Sequence, residues 1–127
     1  VVGIKDYFDY FQKEDFRETS HFLTKECAES LRIYYPDWVE YISYYNADLK
    51  PQIPKRVWRK TLERNPSAEE LAGFLPDGFR RVCLTTLWWT SAPETQREII
   101  RTALKIKFPS NLNRINYYGL DVETYER

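Results

Sequence analysis

Apolar side chains recur every three to four positions along most of this chain, and that spacing limits what it can fold into. Such a repeat lines one side of a helix, whereas a half-buried strand alternates every second residue. Ile4, Tyr7, Phe8 and Phe11 follow the order i, i+3, i+4, i+7. Phe16, Leu23, Cys27, Leu31 and Tyr34 extend the stripe through a second, longer element. Pro36 is expected to stop it, because proline lacks the amide and clashes with the preceding turn. Pro36 also suits the first turn of a following helix, where Trp38, Tyr41, Ile42, Tyr45 and Leu49 give the cleanest series in the chain.

Pro51-Gln52-Ile53-Pro54 reads as a short stiff break. A helix from about Pro54 to Arg64 is expected next, burying Val57, Trp58, Thr61 and Leu62 and closed by Asn65-Pro66-Ser67. Ser67 and Glu70 have capping-box spacing ahead of Leu71, Ala72, Phe74 and Leu75, and Pro76-Asp77-Gly78 is a turn by composition. Phe79 to Trp89 is apolar on nearly every side once past Arg80-Arg81, as expected of a central, surrounded helix. Ser91 and Glu94 repeat the capping pattern with Pro93 in the first turn, and Ile99, Ile100, Ala103, Leu104 and Phe108 face inward until Pro109. The tail from Ser110 reads as one helix to Tyr118, stopped by Gly119 in a left-handed cap, then a short element around Val122 to Tyr125. No run alternates cleanly with period two, and no repeat or long linker divides the chain. The expected fold is therefore all-α: a single domain over residues 1–127, a compact orthogonal bundle of six to eight short helices with an aromatic-rich core.

Hydrophobic residues make up 43% and charged residues 30%, an ordinary globular balance. The 17% aromatic content is unusual. It makes a small core dense and rigid, and any surplus would suit a binding face. Formal net charge is zero, so no global field draws in nucleic acid or a membrane. The longest nearly apolar run, 82–89, falls far short of the ~20 residues a membrane span needs. No signal-peptide pattern is legible. Charge is nonetheless uneven. Residues 1–40 carry nine acids and five bases, whereas residues 50–64 carry six bases against Glu63 alone. Cys27 and Cys83 are too far apart to read as a disulfide framework. Two reduced thiols in helix cores and a cytoplasmic location are expected, with a Cys27–Cys83 disulfide as the alternative.

Chemistry is marked mainly by what is missing. His21 is the one histidine, and its spacing from Cys27 and Cys83 fits no zinc pattern. No glycine-rich phosphate loop is present. Asp6/Asp9 and Glu69/Glu70 suit helix starts and solubility. No catalytic residue, metal site or cofactor is expected.

Three features stand above this background. Arg56, Lys60 and Arg64 lie at i, i+4, i+8, and so do Arg97, Arg101 and Lys105, each set projecting from one side of a helix. Like charges at that spacing repel slightly, and phosphates or carboxylates would be natural partners. Next, Ser67 to Leu75, a turn, and Arg80-Arg81-Val82 resemble the spacing of DNA-reading helix-turn-helix motifs. That resemblance covers under a fifth of the chain. The usually apolar turn position is Asp77, and the would-be reading helix from Val82 to Trp89 has almost no polar face for base edges. Finally, aromatics gather at Trp38, Tyr41, Tyr44 and Tyr45, and at Trp58, Trp88 and Trp89. Tyr44 lies off the inward stripe, so it is the expected exposed anchor.

Together these features point to a non-catalytic interaction or regulatory module. It would dock an acidic partner protein through Arg56, Lys60, Arg64, Arg97, Arg101, Lys105 and Tyr44. Nucleic-acid binding through the same strips is the first alternative, and a small helical enzyme or aromatic-pocket ligand carrier the second. Self-association is also open, because the acidic N-terminal third complements the basic middle.

Overall fold

Strands, not helices, form the centre of this chain. The computed structural model describes residues 16–35, 46–87, 94–117 and 120–127. In chain order these form α1 (16–26), β1 (Leu31–Tyr35), a 3-10 turn (Ala47–Leu49), α2 (Lys55–Glu63), α3 (Ala68–Phe74), β2 (Arg81–Leu87), α4 (Glu94–Lys107), β3 (Ser110–Tyr117) and β4 (Leu120–Glu126). The strands make one mixed sheet in the order β1-β2-β4-β3. β1 and β2 are parallel, with Leu31 opposite Val82, and β4 is antiparallel to both β2 and β3. A parallel pair needs a long crossover. The chain between β1 and β2, which carries α2 and α3, supplies it.

The expected all-α bundle of six to eight helices is therefore wrong: the described residues hold four α-helices and a four-stranded sheet, an α/β arrangement. The long second helix ends at residue 26, and Leu31 to Tyr35 is a strand. The expected central helix from Phe79 is β2, which is central indeed but extended. The expected tail helix is β3, paired with β4 as a hairpin. The helix-turn-helix resemblance fails with them, because its reading element is a buried sheet strand. The helix expected over Ile4 to Phe11 and the Ser91 cap lie outside the described residues. So does most of the helix expected from Trp38, of which Ala47–Leu49 is a 3-10 turn.

Periodicity misled because the sheet is covered on both faces. Side chains alternate across a strand, so a doubly covered strand reads as an unbroken apolar run that looks like a buried helix. Leu31, Ile33, Tyr35, Val82, Leu84 and Tyr125 pack under α2, α3 and α4, with Trp58, Leu62, Leu71, Leu75, Ile100, Leu104 and Phe108. Tyr34, Cys83, Leu120 and Val122 face the other way, onto Leu23 and Cys27 of the α1 region and Leu49 of the 3-10 turn. Fully burying each such side chain stabilises the fold by roughly 1.5–3 kcal/mol.

The helices that were legible form for the expected local reasons. Asn65 adopts a left-handed φ of 49° just past α2 and donates its amide to the Leu62 carbonyl, 3.1 Å away. Ser67 and Glu70 make the reciprocal capping box at α3. Gly78 takes a φ of 94° that favours glycine, which turns the chain into β2. Trp58 and Phe74 stack with ring centroids 6.5 Å apart and tie α2 to α3.

Cys27 and Cys83 are joined as a disulfide, with Cα atoms 6.4 Å apart, in place of the expected reduced thiols. The bond fastens the end of α1 to the middle of β2. Beside it, Arg32 of β1 is 6% exposed. Its guanidinium donates to the carbonyls of Cys27 (3.2 Å), Ala28 (2.9 Å) and Asp48 (2.9 Å). It thus adds a second donor to the Cys27 carbonyl, which also accepts from the Ser30 amide, and sets a cation at the negative end of the α1 dipole.

Candidate interaction surface

Inward residues of α2 fix what its outer side presents. Trp58 and Leu62, four apart, are the buried pair. Arg56 and Lys60 lie away from them and are exposed, one helical turn apart, about 6 Å along the axis. Arg64, just past the helix, is exposed as well. Among the described residues, no carboxylate forms an ion pair with any of the three. Glu63 is the only acid within α2.

The second basic set behaves differently. Arg97, expected to project outward, is 4% exposed and donates to Glu94 at 3.1 Å. Arg101 is turned onto the sheet, where it meets Glu123 at 2.9 Å and Glu98 at 2.6 Å. Lys105 alone of this set is exposed. The cause lies in β4. Its alternation puts Leu120 and Val122 on one face and Asp121 and Glu123 on the other, under α4. Buried carboxylates require partners. Arg101 balances Glu123, and Arg114 reaches Asp121 at 2.7 Å with Asn116 also donating to it.

Electrostatics follow from this pairing. Burial pulls the Arg101 pKa down, but the hydrogen bonds and charges of Glu123 and Glu98 outweigh it and leave it raised. The hydrogen bond and charge of Asp121 raise that of Arg114. Burial, reinforced by the neighbouring Glu123 charge, pushes the Tyr125 hydroxyl up to about 12. At the far end of the sheet Glu126 takes both Arg80 and Arg81 at 3.1 Å. Lys107 holds Asp77 at 2.7 Å. These cations are engaged by the chain's own acids, and the α2 face stands out against them.

Tyr44, with Trp38, Tyr41, Tyr45, Trp88 and Trp89, lies outside the described residues. Val57, expected inside, is exposed instead at 43%, on the cationic helix, and Phe74 is 38% exposed, against Trp58. Val57 neighbours Arg56 rather than the buried stripe, a signal present in the i, i+4 pairing of Trp58 with Leu62. A recess of about 550 Å³ lies between the α1 end and the β2/β4 margin, lined by Lys25, Glu26, Glu29, Arg80, Arg81 and Glu126. Its lining is charged and not aromatic. No helix among the described residues is long and apolar enough to cross a membrane. No protein-family model, curated protein or solved structure matches the chain.

Proposed function

We propose that this chain is a non-catalytic interaction module that docks an acidic partner protein through the outer face of α2. The observation that carries the reading is a contrast. Arg101, Arg114, Arg80, Arg81 and Lys107 each meet an acid of the same chain, while Arg56, Lys60 and Arg64 meet none among the described residues. Solvated cations in a row steer an acidic partner and reject a basic one, which acts on association rate and specificity more than on affinity. Affinity needs apolar anchors, and Val57 and Phe74 are the exposed apolar side chains nearest to that role. The Cys27–Cys83 disulfide supports an oxidising compartment in preference to the cytoplasmic location expected from sequence, because cytosolic reductants keep thiols reduced.

The test is fluorescence anisotropy with a labelled glutamate-rich peptide and, separately, a labelled DNA duplex. Charge reversal at Arg56, Lys60 and Arg64 to Glu is expected to weaken the peptide at least tenfold while the thermal midpoint stays put. Lys105→Glu serves as the control for a change of net charge. Peptide binding unmoved by the triple reversal removes the proposal. Duplex binding that outcompetes the peptide and falls steeply with salt would transfer the face to nucleic acid, since phosphate contacts release counterions.

A further inference from the structure

We infer that β3 is a self-association edge: the β3 strands of two copies pair antiparallel about a two-fold axis at Ile115 and double the four-stranded sheet. The outer strands, β1 and β3, end the sheet differently. β1 is closed. The Gln52 side chain lies along its free edge, accepting from the Arg32 amide at 3.1 Å and donating to the Ser30 carbonyl at 2.9 Å, as a neighbouring strand would. Among the described residues, no other element does this for β3. Ser110, Asn111, Asn113, Arg114 and Asn116 are exposed, and Ile115 is half-buried. Which backbone groups point outward follows from β4. The Arg127 amide donates to the Arg80 carbonyl at 3.0 Å, one position past the Arg81–Glu126 pair. Hydrogen-bonded positions alternate along an antiparallel pair, so Asp121, Glu123 and Tyr125 turn their amides to β2, and Val122 and Thr124 turn theirs to β3. Their partners Ile115 and Asn113 therefore bond β4, and the amides and carbonyls of Arg114 and Asn116 lie on the outer edge. The Arg114 amide agrees. It donates to Oδ1 of its neighbour Asn113 at 2.8 Å, a side chain standing where a strand would.

Edge and charge together name the occupant. A row of open backbone groups is matched by another open strand, and a second β3 is such a strand. Natural edges are guarded by outward charges. The one charged side chain of β3, Arg114, is instead turned back onto β4, where it meets Asp121 at 2.7 Å. Net charge is zero, so two copies do not repel at long range. Arg114 also selects the register. About a two-fold axis normal to the sheet, opposed residues share a face. An axis at Arg114 would set two arginines against each other, which is unfavourable. An axis at Asn116 would carry Arg114 opposite a residue beyond the end of the strand, Tyr117. An axis at Ile115 sets Arg114 against Asn116 of the second copy, each donating its amide to the other's carbonyl. Ile115 then faces Ile115 of the second copy in a non-hydrogen-bonded pair, where side chains come closest. On the α1 side of the strand, a recess of about 440 Å³ lined by Phe22, Glu26, Arg81, Asn113 and Thr124 leaves room for an added strand.

The experiment is sedimentation velocity of the whole chain, disulfide intact, from micromolar to millimolar concentration. The expected result is a monomer–dimer equilibrium that Ile115→Lys weakens at least fivefold while the thermal midpoint of the dilute protein stays put. A chain that is monomeric throughout overturns the inference, as does a dimer indifferent to Ile115→Lys. Register is read from added cysteines. Ile115→Cys is expected to cross-link two copies on mild oxidation. Asn113→Cys, on the same face, stands about 13 Å along the strand from its counterpart and is expected not to. Cross-linking at 113 in place of 115 overturns the axis. A dimer lost on reversing Arg56, Lys60 and Arg64 to Glu, and kept in Ile115→Lys, would move self-association to the α2 face and overturn the edge.

Discussion

Breaking the Cys27–Cys83 link is expected to be among the most costly changes to this fold. The bond closes 56 residues of sequence, from the end of α1 to the middle of β2, around β1, α2 and α3. A cross-link of that span removes loop freedom from the unfolded chain worth about 4 kcal/mol near 25 °C in the chain-entropy account. Unfolding entropy near the midpoint scales with length, so for 127 residues that loss lowers Tm by about 15 °C. The assay is equilibrium urea unfolding of the oxidised protein and of protein reduced while unfolded, then refolded in reductant. Reduction keeps both sulfurs in place and so isolates the cross-link. Cys27→Ala/Cys83→Ala adds the lost packing of two fully buried side chains. The urea slope is expected to rise on reduction, because the uncrosslinked unfolded chain exposes more surface. Refutation is direct: a reduced protein within about 1 kcal/mol of the oxidised one, with both thiols titrating as free, would show that the link restrains little.

Three further outcomes test other parts of the structure. Arg101→Ala strands the buried Glu123 carboxylate and is expected to cost about 3–5 kcal/mol in urea unfolding, much of it recovered in Arg101→Met/Glu123→Leu; a loss under 1 kcal/mol would mean that water screens the pair. Tyr125 has a buried hydroxyl without a partner, so Tyr125→Phe is expected to be neutral or slightly stabilising, and a loss of about 1 kcal/mol would mean that Glu123 accepts its proton. Burial raises its folded pKa to about 12, so the stability from keeping it neutral is complete below the ordinary tyrosine value near 10 and disappears as pH rises toward 12; Tyr125→Phe should flatten that alkaline limb, read by thermal midpoint against pH. Lys107, by hydrogen bond and then by charge, holds the Asp77 carboxyl below its usual range, so its contribution persists above pH ~4 and fades as pH falls through the lowered value. Asp77→Asn should remove that part of the acid dependence.

Helices could be read where one side meets the core and the other meets water. Trp58 with Leu62, the Ser67–Glu70 box, and Ile100, Ala103 and Leu104 all match the expected elements. Strands could not be read by period, because β1 buries all five of its residues and so carries no two-residue contrast. Other cues were present. β-branched and aromatic residues crowd Ile33-Tyr34-Tyr35 and Val82 to Thr86, in runs of strand length. Leu120, Val122 and Thr124 alternate with Asp121 and Glu123 directly after Tyr118-Gly119, a pattern that suits a hairpin arm. The candidate surface was half legible. Spacing found both basic sets, but only the sheet face opposite α4 decides that Arg97 and Arg101 turn inward, and that information is held by β4, some twenty residues further on.

β4, the last of the described strands, is wedged between β2 and β3. Until that slot is filled, β2 and β3 lack the strand that pairs with both of them. Completion therefore waits for residues 120–126, and a cut just ahead of Leu120 would not trim an edge but split the sheet in two.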